Sequence, residues 1–165
     1  MNTIIVGFSR ARSPWKVGSK IISASEKRKY SHVYIRYKDS VTGVELVCQA
    51  SHGYVNEVSF EIFQEDNIIV EEYDLETTSE QTLEILTYLK KNLGKPYSIL
   101  QLIFIAIKKL FKVNLKLRDG DKSFICSELG AKVCKFKKIP MNDDLDLKTP
   151  SDLNMVLKTH KIKRL

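Results

Sequence analysis

Two predicted strands separated by a short polar turn, the first of them rich in Val, Ile and Tyr, constrain the fold of this chain most. Ser31–Lys38 and Val44–Ser51 flank Asp39–Gly43, and this arrangement predicts a β-hairpin. Short apolar segments on either side predict further strands at Thr3–Phe8, Tyr54–Phe60 and Ile68–Tyr73. The region up to residue 73 therefore indicates a sheet with antiparallel pairing.

Helical patterns are concentrated after these strands. The clearest one has Thr78 or Ser79 as its N-cap and ends at Gly94, with an apolar face spaced by Leu83, Leu86, Leu89 and Leu93. Other helices are predicted at 14–24, Ile99–Phe111, Phe124–Phe136 and Asp152–Leu157. Because helices segregate from antiparallel strands, we predict an α+β fold in which an antiparallel sheet packs against helices. No shift in composition divides the chain, so we expect one domain over residues 1–165.

Composition excludes several classes of protein. The 165 residues are 43% apolar, which is enough for a packed core. Three cysteines without a CxxC pair argue against a disulfide scaffold, and three separated histidines give no zinc signature, so we expect neither metal nor cofactor. The longest apolar run, Ile99–Ile107, is shorter than the roughly 20 residues that span a bilayer. We therefore expect no signal peptide, no transmembrane segment, and a location in the cytoplasm, a host cytoplasm or a virion.

The net charge of +7 is unevenly distributed. Glu57–Glu80 contains nine acidic residues and no Lys or Arg. Basic residues cluster at Lys27–Lys29, Lys108–Lys109, Lys135–Lys138 and Lys158–Arg164. Such a balance is typical of proteins that bind nucleic acid or anionic membranes, but no basic segment is interleaved with aromatic residues. We therefore expect a solvated, lysine-rich surface and no nucleic-acid partner, while peripheral membrane contact and the oligomeric state stay open.

Cys126 lies at the beginning of a helical pattern for which Ser123 is a plausible N-cap. Unpaired backbone N–H groups and the helix dipole at such a position favour a thiolate, so Cys126 is a candidate nucleophile. Gly130 is on the same face of the helix, where a strand could approach closely. Cys48 and Cys134 have surroundings typical of packing residues.

A thiolate mechanism also needs a base and a group that orients the base. His32 begins the first strand of the hairpin, and Gln49 lies roughly opposite it in the predicted pairing. The amide oxygen of Gln49 could accept a hydrogen bond from one ring nitrogen and leave the other for the thiol. Because hairpin register can slip, Glu45 and His52 remain candidates for this third position. His160 is in a basic tail, and we expect it to be solvated.

The order of these residues resembles the circularly permuted NlpC-type branch of the papain-like cysteine hydrolases, the YiiX-like group. The resemblance extends over nearly the whole chain, through the ordered strings Phe8–Ser13, Tyr30–Val33, Gln49–Ala50, Gly94–Tyr97, Phe124–Leu129 and Thr149–Leu153. It implies a permuted papain-like fold with the nucleophile at a helix N-terminus. Two positions depart from the pattern of the family. Tyr34 replaces a small residue two places after the histidine, and Gln49 replaces what is often a glutamate.

The resemblance implies acyl transfer by a cysteine peptidase or amidase. Cys126 would attack an amide or ester carbonyl, His32 would transfer the proton, and the backbone N–H of Cys126 would help to hold the oxyanion. Tyr97 is a candidate residue of the substrate cleft. The substrate would be a peptide, a cell-wall amide or an acyl lipid.

Two alternatives stay open at this point. The predicted helix Ile99–Phe111, flanked by lysines, would suit a lipid-directed hydrolase or acyltransferase that works at a membrane surface. Alternatively, the chain would be a catalytically inactive binding module or virion-associated module with the same fold.

Overall fold

The computed structural model of the chain describes residues 3–12, 30–51, 53–96, 126–141 and 149–165. The strands in these residues are Ile4–Ala11 (β1), His32–Lys38 (β2), Glu45–Ser51 (β3), Tyr54–Ser59 (β4), Asn67–Asp74 (β5) and Lys163–Arg164 (β6). The helices are Phe60–Asp66 (α1), Ser79–Asn92 (α2), Cys126–Phe136 (α3) and Pro150–Thr159 (α4). This mixture of an antiparallel sheet and helices agrees with the predicted α+β class.

The strands form one sheet in the order β4-β3-β2-β1-β5-β6, and each neighbouring pair is antiparallel. The predicted hairpin is confirmed as the pair β2 and β3. Its turn is held by Asp39, whose carboxylate accepts hydrogen bonds from the backbone N–H groups of Val41 and Thr42 at 3.0 and 2.7 Å. Gly43 completes the turn with φ at 72°, a left-handed conformation that glycine adopts at little cost.

The two faces of the sheet pack against different helices. On one face, here called the three-helix face, side chains of β1, β2 and β3 form the main core with α2, α3 and α4. The opposite face, here called the α1 face, carries a smaller cluster in which Phe63 of α1 packs with Tyr34 and Val47. Because side chains alternate along a strand, every second residue of β2 and β3 faces α1.

Helix α3 lies unusually close to the sheet at Gly130. A Cβ atom at this position would lie 2.8 Å from both Val33 Cγ1 and Leu153 Cδ2. Both neighbours are fully buried, so they have little room to move away. The prediction that a strand approaches the helix at Gly130 is confirmed, and the approach brings the beginning of α3 next to the beginning of β2.

Helix α2 lies where it was predicted, and two residues of its predicted apolar face, Leu86 and Leu89, pack on the core. Thr78 is the N-cap and forms a capping box with Gln81. The buried residues of the helix are Thr82, Ile85, Leu89 and Asn92, whereas Leu83 is 68% exposed. The buried residues follow the 3-, 4- and 3-residue spacing of one helix face. Because Thr82 and Asn92 are polar, an apolar pattern in the sequence does not reveal this face.

Two elements were absent from the sequence prediction. Helix α1 has only seven residues and follows directly on β4, with the Ser59 hydroxyl accepting a hydrogen bond from the N–H of Ile62. Strand β6 has two residues and pairs with the end of β5. Both are too short to produce a readable periodicity in the sequence.

Helix α4 is longer than the predicted Asp152–Leu157. Thr149 is its N-cap, Pro150 occupies the first turn, and Asp152 completes a capping box. Within this helix, Asn154 Nδ2 donates to Glu71 Oε2 at 2.7 Å, which ties α4 to strand β5. The Glu71 carboxylate is also paired with the Lys158 ammonium at 3.2 Å.

Several predicted features lie outside the described residues, namely the helices 14–24 and Ile99–Phe111, the N-cap Ser123, and the residues His52 and Tyr97. Among the helices that the structure does describe, none combines the length and the apolar character needed to cross a membrane.

Candidate active site

His32 and Gln49 form a direct hydrogen bond. His32 Nε2 lies 2.7 Å from Gln49 Oε1, and the Gln49 residue is only 6% exposed. The predicted register was wrong by two residues, because Gln49 lies opposite Tyr34 in the ladder. The two side chains nevertheless meet diagonally, since residues two apart on a strand share one face and a long side chain spans that distance.

Of the two other candidates for the third position, Glu45 has a different partner. Both of its carboxylate oxygens accept hydrogen bonds from Arg36 Nη1 at 2.9 Å, and it pairs with Lys38 at the far end of the hairpin. His52 is outside the described residues. Among the described candidates, Gln49 is therefore the residue in contact with His32.

Cys126 is the first residue of α3 and is 1% exposed. Burial raises the pKa of the Cys126 thiol, while the backbone N–H groups of Val33, Ser127 and Cys126 itself act in the opposite direction. Two of these amides belong to the beginning of the helix, and the third belongs to strand β2. The sulfur atom therefore lies beside the peptide group that joins His32 to Val33.

The other two cysteines differ from Cys126 in this respect. The pKa of Cys48 is raised to about 12, mainly by burial and also by Glu57, while Lys90 acts in the opposite direction. Burial alone raises the pKa of Cys134 to about 12. Among the three cysteines, backbone N–H groups lower the pKa of the thiol only at Cys126, which agrees with its position at the beginning of a helix. The pKa of Cys126 is nevertheless raised overall, because burial has the larger effect.

The thiol and the imidazole lie on different faces of the sheet. Val33 packs with Cys126 in the core of the three-helix face. His32 and Gln49 alternate with these core residues and face α1, where the His32 ring lies 6.3 Å from the Phe63 ring. His32 is the first residue of β2 and directly precedes Val33, whose backbone N–H acts on the Cys126 thiol.

Tyr34 fills the α1 face next to His32. Its ring packs over Gly7, where a Cβ atom would lie 2.0 Å from the ring. The ring centroid is 4.5 Å from that of Phe63, and the hydroxyl donates to Glu72 Oε1 at 2.7 Å. The space that a small residue would leave open is therefore occupied by a fully buried tyrosine.

Sequence reasoning missed two residues beside the candidate site. Phe63 belongs to α1, which the sequence did not reveal. Asn56 lies opposite Gln49 in the pairing of β3 with β4, and its position could have been found only from the register of that pair. Together they extend the site along the α1 face.

The structure describes three of the four predicted site residues, Cys126, His32 and Gln49, whereas Tyr97 lies outside it. In the part of the chain that the structure describes, no cluster of three or more His, Cys, Asp or Glu side chains could hold a metal ion. The arrangement supplies a thiol, an imidazole and a carboxamide that bonds to the imidazole, which are the groups of a thiol acyl-transfer site.

Comparisons with known proteins do not identify a family. No family model matches the chain, and a search of the curated proteins finds no match.

Proposed function

We propose that this protein is a cysteine-dependent hydrolase of amide or ester bonds, of the peptidase or amidase type, with Cys126, His32 and Gln49 as its catalytic groups. The observation that carries the proposal is the 2.7 Å hydrogen bond between His32 and Gln49, formed at the strand end against which the Cys126 thiol packs. The resemblance to the permuted papain-like hydrolases supports the same assignment and extends it to the fold.

In the proposed mechanism, Gln49 Oε1 accepts a hydrogen bond from Nε2–H of His32, which leaves Nδ1 as the basic nitrogen. Nδ1 takes the proton of the Cys126 thiol as the sulfur attacks the carbonyl carbon of the substrate. The tetrahedral intermediate expels an amine or an alcohol, which receives the proton from His32. Water, deprotonated by His32, then hydrolyses the acyl-thioester and regenerates the thiol.

Backbone N–H groups at the beginning of α3 suit the charge that develops in this reaction. The amide of Cys126 favours a negative charge at the sulfur in the free protein, and in the proposed mechanism it holds the oxyanion after attack. Gln49 orients the imidazole but carries no charge, so it stabilises the imidazolium less than a glutamate would. The proposed resting state is therefore a neutral thiol and a neutral imidazole.

Trapping of the acyl-enzyme tests the proposal. The protein is incubated with a panel of activated amide and ester acyl probes, and the intact mass and the modified peptide are determined. We expect a covalent acyl adduct on Cys126 that is lost in Cys126→Ala and retained in Cys134→Ala, a matched change in the same helix. Acylation that is unaffected by Cys126→Ala, or no acylation by any probe, would reject the proposal.

A second candidate function is a binding module that has the same fold and no activity. The burial of Cys126 and the raised pKa of its thiol favour this reading, because a buried neutral thiol is a poor nucleophile. The acylation experiment separates the two candidates.

The proposed substrate is a peptide, a cell-wall amide or an acyl lipid, and the proposed location is the cytoplasm, a host cytoplasm or a virion. Sedimentation with anionic vesicles at physiological salt distinguishes a lipid substrate from the others. We expect a lipid-directed enzyme to sediment with the vesicles and a peptidase to remain in the supernatant.

A further inference from the structure

Asn56 lies next to the pair formed by His32 and Gln49. It is the cross-strand partner of Gln49 in the antiparallel pairing of β3 with β4, so the two carboxamide side chains are neighbours on the α1 face. His32, Gln49 and Asn56 therefore form a row across three adjacent strands. Only the first link of this row, from His32 to Gln49, is a hydrogen bond in the structure.

The orientation of the Asn56 carboxamide is fixed by its nitrogen. Nδ2 donates to the backbone carbonyl oxygen of Ser51 at 3.1 Å and to the Ser51 hydroxyl oxygen at 3.2 Å. A flipped amide would place its oxygen against that carbonyl oxygen, which cannot donate. Oδ1 of Asn56 therefore points away from Ser51. This oxygen is buried and has no hydrogen-bond partner in the described part of the chain.

A buried acceptor without a donor is unfavourable, and the nearest carboxamide nitrogen across the strand pair is that of Gln49. We infer that the side-chain N–H of Gln49 donates to Oδ1 of Asn56, so that Asn56 is a positioning residue for His32. With its nitrogen directed to Asn56, Gln49 must present Oε1 to His32. The His32 ring then carries its proton on Nε2 and keeps Nδ1 basic.

The reverse orientation of Gln49 would have the opposite effect. Its nitrogen would then donate to Nε2 of His32, which would move the ring proton to Nδ1 and remove the base that the thiol needs. Asn56 thus selects between two tautomers of His32 without contact with either the ring or the substrate. The importance of this selection for catalysis rests on the proposed function, whereas the selection itself does not.

The ratio of the two His32 tautomers tests the inference directly. It is measured from the ¹⁵N chemical shifts of the ring at a pH where the ring is neutral, in protein that carries Cys126→Ala. We expect Asn56→Ala to lower the ratio of Nε2–H to Nδ1–H about 2- to 10-fold, which corresponds to one net hydrogen bond. An unchanged ratio in Asn56→Ala would overturn the inference.

A second measurement separates positioning from a general structural effect. A glutamate at position 49 has no N–H and accepts from His32 in either orientation, so Asn56→Ala should slow alkylation of Cys126 in the native background and not in Gln49→Glu. Equal slowing in both backgrounds would overturn the inference, and this comparison holds if Asn56→Ala also lowers stability. If Asn56→Ala changes the tautomer ratio of His32 but no acyl probe modifies the protein, the proposed function is rejected and this inference is retained.

Discussion

Substitution of Gly130 by alanine tests the close approach that brings the thiol to strand β2. The new Cβ would lie 2.8 Å from methyl carbons of Val33 and Leu153, closer than real Cβ atoms approach. Both residues are fully buried, so the strain from overpacking should cost about 1–3 kcal/mol. Alanine is favoured over glycine within a helix by about 1 kcal/mol. The free energy of unfolding should therefore fall by roughly 1 kcal/mol.

Urea denaturation of the wild-type protein and the Gly130→Ala variant measures this change. A double-mutant cycle compares Gly130→Ala, Val33→Ala and the double variant with the wild type. Because Val33→Ala removes the crowded methyl groups, the double variant should recover part of the stability lost in Gly130→Ala, with a coupling free energy of about 0.5–3 kcal/mol. Gly94→Ala is a control, since its Cβ would meet no atom within 4 Å and its cost comes only from the positive φ of 80°. A Gly130→Ala variant about 1 kcal/mol more stable than wild type would refute the close packing of α3 on β2.

Two further changes have expected outcomes. Gln49→Glu places a carboxylate against His32, which stabilises the imidazolium. Alkylation of Cys126 at neutral pH should therefore become about 10-fold faster. An unchanged rate would argue against His32 as the base of Cys126. Burial raises the pKa of Glu71, but hydrogen bonds from groups such as Asn154 Nδ2 outweigh this effect and lower the pKa below its ordinary value. A carboxylate whose pKa is lowered by folding stabilises the fold above its ordinary pKa, and this stabilisation is lost as the pH falls through the pKa of the folded state. In urea titrations, Glu71→Gln should therefore destabilise the protein at about pH 7. The destabilisation should become smaller below about pH 4.

The sheet could be predicted from the sequence because its signals are local. The hairpin depends on Asp39 and Gly43, which are turn residues in any context, and on the Val, Ile and Tyr residues of its first strand. The cap at Thr78 and the glycine at position 94 marked α2 for the same reason. The strand register was harder to predict from the sequence, because a shift of Gln49 from a position opposite His32 to one opposite Tyr34 changes no local propensity.

The buried polar residues explain what the sequence could not reveal. Thr82 and Asn92 are on the core side of α2, so a search for leucines selected a face on which Leu83 is exposed. The carboxamide of Asn56 became relevant only through its pairing with β3. The position of Cys126 at the beginning of a helix made it a candidate nucleophile. The sequence could not indicate that burial would have the largest effect on the pKa of its thiol.

The rate of iodoacetamide alkylation at each cysteine of the native protein, resolved by peptide mapping, tests the central claim most directly. If Cys126 is the nucleophile and His32 its base, Cys126 will react much faster than Cys48 and Cys134. Its rate will fall in His32→Ala, while the rates of the other two stay unchanged. Equally slow alkylation of all three cysteines, or a Cys126 rate that does not respond to His32→Ala, would contradict the account.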